Sequence, residues 1–115
     1  MKKITFFIFL SSLIMLYSTA YAHPPSDIII TYDVAAKTLH AVIIHNVSNP
    51  ASHFIKKVDI ALNGKGIIEH QISRQDNNTE QTVSYLIPDA KTGDTLSVEA
   101  YCSISGKLEK EIKVK

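Results

Sequence analysis

The residues best suited to chemistry in this chain are its histidines and its one cysteine. The 115 residues include five histidines, and the full set of such side chains is His23, His40, His45, His53, His70 and Cys102. Imidazole nitrogen and thiolate sulfur are softer donors than oxygen, and together they suit iron, zinc or copper. If the fold brings several of them together, the sequence predicts a transition-metal site.

The spacing along the chain favours some of these residues over others as metal ligands. His45 closes one predicted strand and His53 opens the next, so the loop between them can bring both rings to one end of the fold. Cys102 also stands near a predicted strand end and, as the only cysteine, is a buried inert thiol, a link to another chain or a metal ligand. His40 and His70 stand in mid-strand, where a structural role is the more common one.

The first 22 residues have the three regions of a secretory signal peptide. Lys2 and Lys3 are followed by 13 residues from Ile4 to Leu16, fewer than the roughly 20 that span a membrane. Ala20-Tyr21-Ala22 is a small-x-small cleavage site. We therefore expect a periplasmic or secreted protein that begins at His23 and has no membrane span after cleavage.

The length of the mature chain predicts a single domain, residues 23–115, and its charge bears on the partners it can bind. Cleavage leaves 93 residues, a length typical of one hydrophobic core. Removal of Lys2 and Lys3 leaves ten basic against 11 acidic residues, a net charge near −1. Such a balance provides no basic surface for a nucleic acid partner.

Alternating apolar and polar residues predict an all-β domain. Segments rich in Ile, Val, Thr and Tyr recur between turn signals. The predicted strands are Asp27–Tyr32, Thr38–His45, Phe54–Leu62, Ile67–Ser73, Gln81–Ile87, Thr95–Ile104 and Lys107–Val114. About seven short strands in this length indicate an immunoglobulin-like antiparallel β-sandwich.

Three segments resemble the motifs of superoxide reductases, the family of neelaredoxin and the iron domain of desulfoferrodoxin. Residues 45–58, His-Asn-Val-Ser-Asn-Pro-Ala-Ser-His-Phe-Ile-Lys-Lys-Val, are similar to its His-Pro…His-Tyr-Ile-x-x-Ile signature. Residues 100–106, Ala-Tyr-Cys-Ser-Ile-Ser-Gly, are similar to its Tyr-Cys-Asn-x-His-Gly segment, and His23-Pro24-Pro25 to its His-x-Pro motif. The resemblance covers most of the mature chain and implies the same sandwich fold.

The resemblance implies a mononuclear, non-haem iron that reduces superoxide with the help of an electron donor in the periplasm. Carried over residue by residue, it gives as metal ligands His23, His45, His53 and Cys102. This set is degenerate, because Ser105 stands where the family has a fourth histidine. The spacing from His45 to His53 is also two residues longer than in the family. The family's Glu-Lys pair would fall at Tyr21-Ala22, which carries no charge and leaves with the signal peptide.

The sequence also allows two alternative functions. His53-Phe54-Ile55, Leu62-Asn63-Gly64-Lys65 and residues 87–94 also resemble the Z subunit of the periplasmic sulfur-oxidation carrier, which implies a non-catalytic module that binds a partner protein. The other alternative is copper. Cleavage after Ala22 would free the α-amino group of His23, which can chelate a copper ion together with its own ring nitrogen.

Overall fold

A computed structural model describes residues 23–115, so the predicted signal peptide lies outside the described residues. The strands are β1 (Asp27–Asp33), β2 (Thr38–Ile44), β3 (Ile55–Leu62), β4 (Lys65–Gln71), β5 (Glu80–Leu86), β6 (Thr95–Cys102) and β7 (Lys107–Lys113). Between residues 23 and 115 the chain forms no helix, and hence none of the length and apolarity needed to cross a membrane.

The seven strands form the predicted antiparallel β-sandwich. One sheet has the order β1-β2-β5 and the other the order β4-β3-β6-β7. Every strand pair is antiparallel. The chain passes between the sheets after β2, β4 and β5, as in immunoglobulin-like folds. The all-β prediction is therefore confirmed.

Strict alternation along the central strands builds the core between the sheets. On β6, Leu96, Val98 and Ala100 are fully buried, while the residues between them are half-buried on the outer face. On β3, Val58 and Ile60 are fully buried in the same way. Each of the larger aliphatic side chains contributes about 1.5–3 kcal/mol relative to an exposed position. This core holds the strand ends in fixed positions.

Four segments of the chain meet at one end of the sandwich, which we call the rim. They are the residues before β1 and the β2–β3, β4–β5 and β6–β7 connections. Antiparallel order brings the start of β1, the end of β2 and the start of β5 together, with Asp27 opposite Ile44 and Ile44 opposite Glu80. In the other sheet the start of β3 lies beside the end of β6, with Ile55 opposite Cys102.

A β-bulge interrupts β3 at the rim. Ile55 is opposite Cys102 and Lys57 is opposite Tyr101, so Lys56 has no partner on β6. Ile55 and Val58 both face the core, although three positions apart, because the bulge inserts one residue. Bulges of this kind redirect neighbouring side chains, and this one directly follows the loop that carries His53.

Candidate metal centre

Three histidine rings converge at the rim. Each of His23, His45 and His53 offers one ring nitrogen, and these three atoms all lie within 4.8 Å of one another. The ring centroids are 5.0 Å apart for His23 and His45, 5.3 Å for His23 and His53, and 4.8 Å for His45 and His53. Nitrogens bound to one metal ion lie roughly 3.0–4.2 Å apart, given bonds of about 2.1 Å. A small contraction would allow all three to bind one ion.

His45 is the buried member of the cluster. It directly follows β2, and its backbone N–H donates to the carbonyl oxygen of Thr79 at 2.9 Å, across to the β4–β5 connection. Its side chain is fully buried. A buried imidazole needs hydrogen-bond partners, and the β4–β5 connection supplies one.

That partner is Gln75, which the sequence analysis missed. Gln75 is 1% exposed, and its Oε1 lies 2.8 Å from Nδ1 of His45 and accepts from the Ile55 N–H at 3.2 Å. Its Nε2 donates to the carbonyl oxygens of His45, at 2.7 Å, and Asn77, at 2.9 Å. All four hydrogen-bonding positions of the amide are thus used. A glutamine in a polar loop carries no sequence signal that it will be buried.

These hydrogen-bond partners determine which ring nitrogen of His45 is available to bind a metal ion. Two carbonyl oxygens bond the Gln75 amide nitrogen, and a backbone N–H bonds its oxygen, so the orientation of the amide is settled. His45 must therefore donate from Nδ1, and in the neutral ring the lone pair is on Nε2. That nitrogen lies 3.3 Å from the carbonyl oxygen of His23, which is also an acceptor. A cation held by Nε2 would relieve this contact between two acceptors.

His53 is presented by a tight turn in the β2–β3 connection. The carbonyl oxygen of Asn49 accepts from the backbone N–H groups of Ser52 and His53, at 3.2 and 2.9 Å. The side-chain oxygen of Asn49 accepts from the N–H of Ala51 at 3.0 Å. Asparagine commonly stabilises turns in this way. The turn leaves the ring of His53 half-buried, facing the other two histidines.

Cys102 lies against His53, outside the group of three nitrogens that converge. Its Sγ lies 3.2 Å from Nε2 of His53, and the residue is 2% exposed. The backbone N–H of Ile104 points at the same sulfur at 3.5 Å. Donors at right angles on one metal ion, with bonds of about 2.1 and 2.3 Å, lie about 3.1 Å apart. The sulfur and nitrogen are thus at the separation of neighbouring ligands.

His23 is fixed by the residues that follow it. The Ser26 N–H donates to the carbonyl oxygen of Ile44 at 2.9 Å, and Pro25 is buried. Pro24 packs directly on Gly106 in the β6–β7 hairpin, where an added Cβ would lie 3.0 Å from the Pro24 Cβ. The N-terminal segment is therefore attached to β2 and to the hairpin beside Cys102.

The surroundings of His53 favour its neutral imidazole form. Burial lowers the pKa of His53 below its ordinary value of 6.5, and the neighbouring His45 and His23 rings lower it further. A charged imidazole cannot bind a metal ion, so a lowered pKa keeps this nitrogen available at neutral pH.

The remaining candidates lie elsewhere or on the edge of the site. His40 bonds the Ser84 hydroxyl and His70 bonds the Tyr85 hydroxyl, each at 2.8 Å. Ser105 is exposed in the turn that precedes Gly106. The sequence therefore separated the clustered histidines from the mid-strand pair, and the fold brings Cys102 against His53.

Comparison of the chain with protein-family models, with curated proteins and with solved structures found no match in any of the three. What the site can bind is therefore inferred from its own geometry. Three imidazole nitrogens within 4.8 Å of one another can hold a metal ion, and the buried Cys102 thiol, which is not among these three converging donors, lies against one of the rings.

Proposed function

We propose that this is an exported iron-binding protein of superoxide reductase-like type. Its ligands are His23, His45, His53 and Cys102, and its role is to handle superoxide or iron redox chemistry outside the cytoplasm. The observation that carries the proposal is the convergence of three imidazole nitrogens within 4.8 Å of one another. His45 and His53 belong to one motif, and His23 belongs to another that lies 22 residues before His45.

Several further contacts support a metal in this place. Nε2 of His45 lies 3.3 Å from the carbonyl oxygen of His23, and a metal ion bound to this nitrogen of the neutral ring would relieve the contact between two acceptors. The Cys102 sulfur is at ligand-to-ligand distance from His53 and receives the Ile104 N–H, a contact that stabilises a thiolate. Mixed imidazole and thiolate donors favour iron, zinc or copper over calcium or magnesium.

The chemistry that iron would supply here is one-electron reduction of superoxide to hydrogen peroxide, with an electron donor in the same compartment. The chain's own part is to hold the donors and to leave one side of the site open. His23 is exposed while His45 is buried, so a small anion would approach on the His23 side. Ser105 supplies no imidazole, so we expect a site with fewer strong ligands and slow turnover.

Attraction of the superoxide anion needs a nearby positive charge. Lys57 is held elsewhere, because its ammonium lies 4.3 Å from the centre of the Tyr101 ring and 3.5 Å from Asp59. Lys56, the bulged residue at the start of β3, is exposed beside the rim. We assign Lys56 the role of attracting the anion in place of the family's missing Glu-Lys pair.

The experiment that tests the proposal is anaerobic titration of the purified exported protein with Fe(II), followed by oxidation and visible spectroscopy. We expect one iron per chain and a thiolate-to-ferric charge-transfer band. Cys102→Ser should abolish the band while the protein stays folded, because the hydroxyl is a poor iron ligand. The cost of burying that hydroxyl unbonded is about 1–3 kcal/mol.

His40→Ala is the matched control, since His40 is a histidine of the same domain bonded to Ser84 away from the cluster. It should leave both iron content and the band unchanged. A colourless protein that binds no iron at micromolar concentrations would overturn the proposal. The metal-free, partner-binding module would then be the better explanation.

A further inference from the structure

The first described residues of the chain are held by contacts with two other segments. Here Ser26 bonds Ile44 through both its N–H, at 2.9 Å, and its hydroxyl, at 3.3 Å. Pro24 is packed so closely on Gly106 that a Cβ there would lie 3.0–3.2 Å from three Pro24 atoms, two of them backbone. The fold thus holds the chain in place up to the residue that follows His23.

The backbone of His23, as well as its ring, lies at the histidine cluster. Its carbonyl oxygen is 3.3 Å from Nε2 of His45. By covalent geometry, the backbone nitrogen of a residue lies no more than about 3.6 Å from its own carbonyl oxygen. The His23 nitrogen is therefore within about 7 Å of Nε2 of His45. The ring Nδ1 of His23 is 3.1 Å from the Pro24 carbonyl oxygen, an exposed contact that a metal can displace.

We propose that the α-amino nitrogen of His23, freed when the signal peptide is removed, is a further ligand of the metal centre. Before cleavage this nitrogen is an amide, which is a poor metal donor. After cleavage it becomes an amine that can close a six-membered chelate ring with Nδ1 of the same residue. The inference rests on the proposed function and on the predicted cleavage after Ala22.

This ligand compensates for the histidine that the chain lacks. Ser105 leaves the set with three imidazoles and one thiolate, and the amine adds a fourth nitrogen. A donor already tethered to a bound ligand enters at high effective concentration, so its contribution to affinity is large. The centre gains this donor only after export, and the precursor binds metal more weakly in the cytoplasm.

The test compares two full chains, each expressed with its own signal peptide and purified after export. One is the natural chain, and the other carries Gly-Ser-Gly inserted between Ala22 and His23, so that cleavage at the same site leaves His23 internal. Zn(II) is the probe, because the Cys102 thiol does not reduce it. Intact mass identifies each N-terminus. We expect the inserted chain to bind Zn(II) at least tenfold more weakly in a chelator competition.

A second measurement reports on the amine directly. An amine-acylating reagent should label the α-amino group of the natural protein without metal, and Zn(II) should protect it, as read by peptide mass spectrometry. Lys65, exposed at the start of β4 at the end of the sandwich away from the rim, is the internal control and should be labelled equally in both states. Equal Zn(II) affinity of the two chains with no protection of the amine would overturn the inference and leave the proposed function standing. A natural N-terminus other than His23 would also overturn it. If neither chain binds Zn(II), the metal centre and the proposed function both fail.

Discussion

The Oε1 atom of Gln75 lies 2.8 Å from Nδ1 of His45, and the same amide donates to the His45 carbonyl oxygen. Gln75 thus holds both the ring and the backbone of the buried histidine. Side chains that orient metal ligands in this way commonly alter metal affinity 10- to 100-fold when removed. We class Gln75 as a positioning residue of the proposed centre.

Gln75→Ala should weaken both the fold and the site. It leaves buried hydrogen-bonding groups of His45 and Ile55 without partners, at about 1–3 kcal/mol for each unsatisfied group. We expect a lower midpoint in urea unfolding and at least tenfold weaker Zn(II) binding. Gln71→Ala is the control, because Gln71 is exposed at the end of β4 and, among the described residues, its side chain bonds only Glu69. Equal behaviour of the two variants would show that Gln75 does not position His45.

Gly106→Ala should separate backbone strain from displacement of the N-terminal segment. Gly106 has a φ of 87°, a conformation that costs an L-residue about 1–2 kcal/mol. The added methyl group would also press on Pro24 and displace His23. Gly93→Ala is the matched control, since Gly93 has a φ of 94° and nothing within 4 Å of an added Cβ.

Both glycine variants should therefore lose stability in thermal unfolding, but only Gly106→Ala should also lose metal affinity. The comparison is made by Zn(II) competition titration at a temperature where both variants are folded. If Gly93→Ala weakens metal binding as much, the loss reflects strain alone and Pro24 does not place His23.

The strand pattern was predictable because one sheet face must be buried. The alternation of Leu96, Val98 and Ala100 with more polar residues fixed the face of β6, and the fold follows from such patterns. The convergence of His45 and His53 was also predictable, since a single loop joins the two strand ends. The burial of Gln75 beside His45 and the packing of Pro24 on Gly106 could not be predicted from the sequence. They depend on contacts between distant segments, which have no local sequence signature.

The bulge at Lys56 also could not be predicted from the alternation of apolar and polar residues. The sequence reads Ile55-Lys56-Lys57-Val58, and simple period-two alternation places Ile55 and Val58 on opposite faces. The structure buries both. The registration of β3 against β6, set by Ile55 opposite Cys102, requires the extra residue.

The stability of the metal-free protein should fall as the solution is acidified through the range near pH 6. The pKa of His53 is lowered in the folded state, mainly by burial, so the unfolded chain binds the proton more tightly. The stability contributed by neutral His53 is therefore fully present above its unfolded value of about 6.5 and is lost progressively as pH falls toward the folded value. Urea unfolding at pH 7.5 and 5.5 measures this loss.

His53→Asn removes the titrating group, so that variant should lose less stability over the same pH interval than the natural protein. His40→Asn is the control, because His40 lies on an exposed face bonded to Ser84. It should retain the full pH dependence. An unchanged dependence in His53→Asn would mean that another group of the cluster dominates the acid sensitivity.

A histidine placed at Ser105, the position that resembles the fourth histidine of superoxide reductases, should tighten iron binding in the proposed centre. Ser105 is exposed in the β6–β7 turn, next to the glycine on which Pro24 packs, so its position is adjacent to the segment that ends in His23. Ser105→His adds a strong nitrogen donor at that place, and we expect at least tenfold tighter Fe(II) binding in anaerobic competition. Ile104→His is the matched control, since Ile104 is 50% exposed in the same turn but lies one residue away from the family position. It should leave Fe(II) affinity unchanged.

If Ser105→His and Ile104→His tighten binding equally, the added histidine acts only as a surface ligand. If neither variant tightens binding, the correspondence of Ser105 to the missing ligand is wrong.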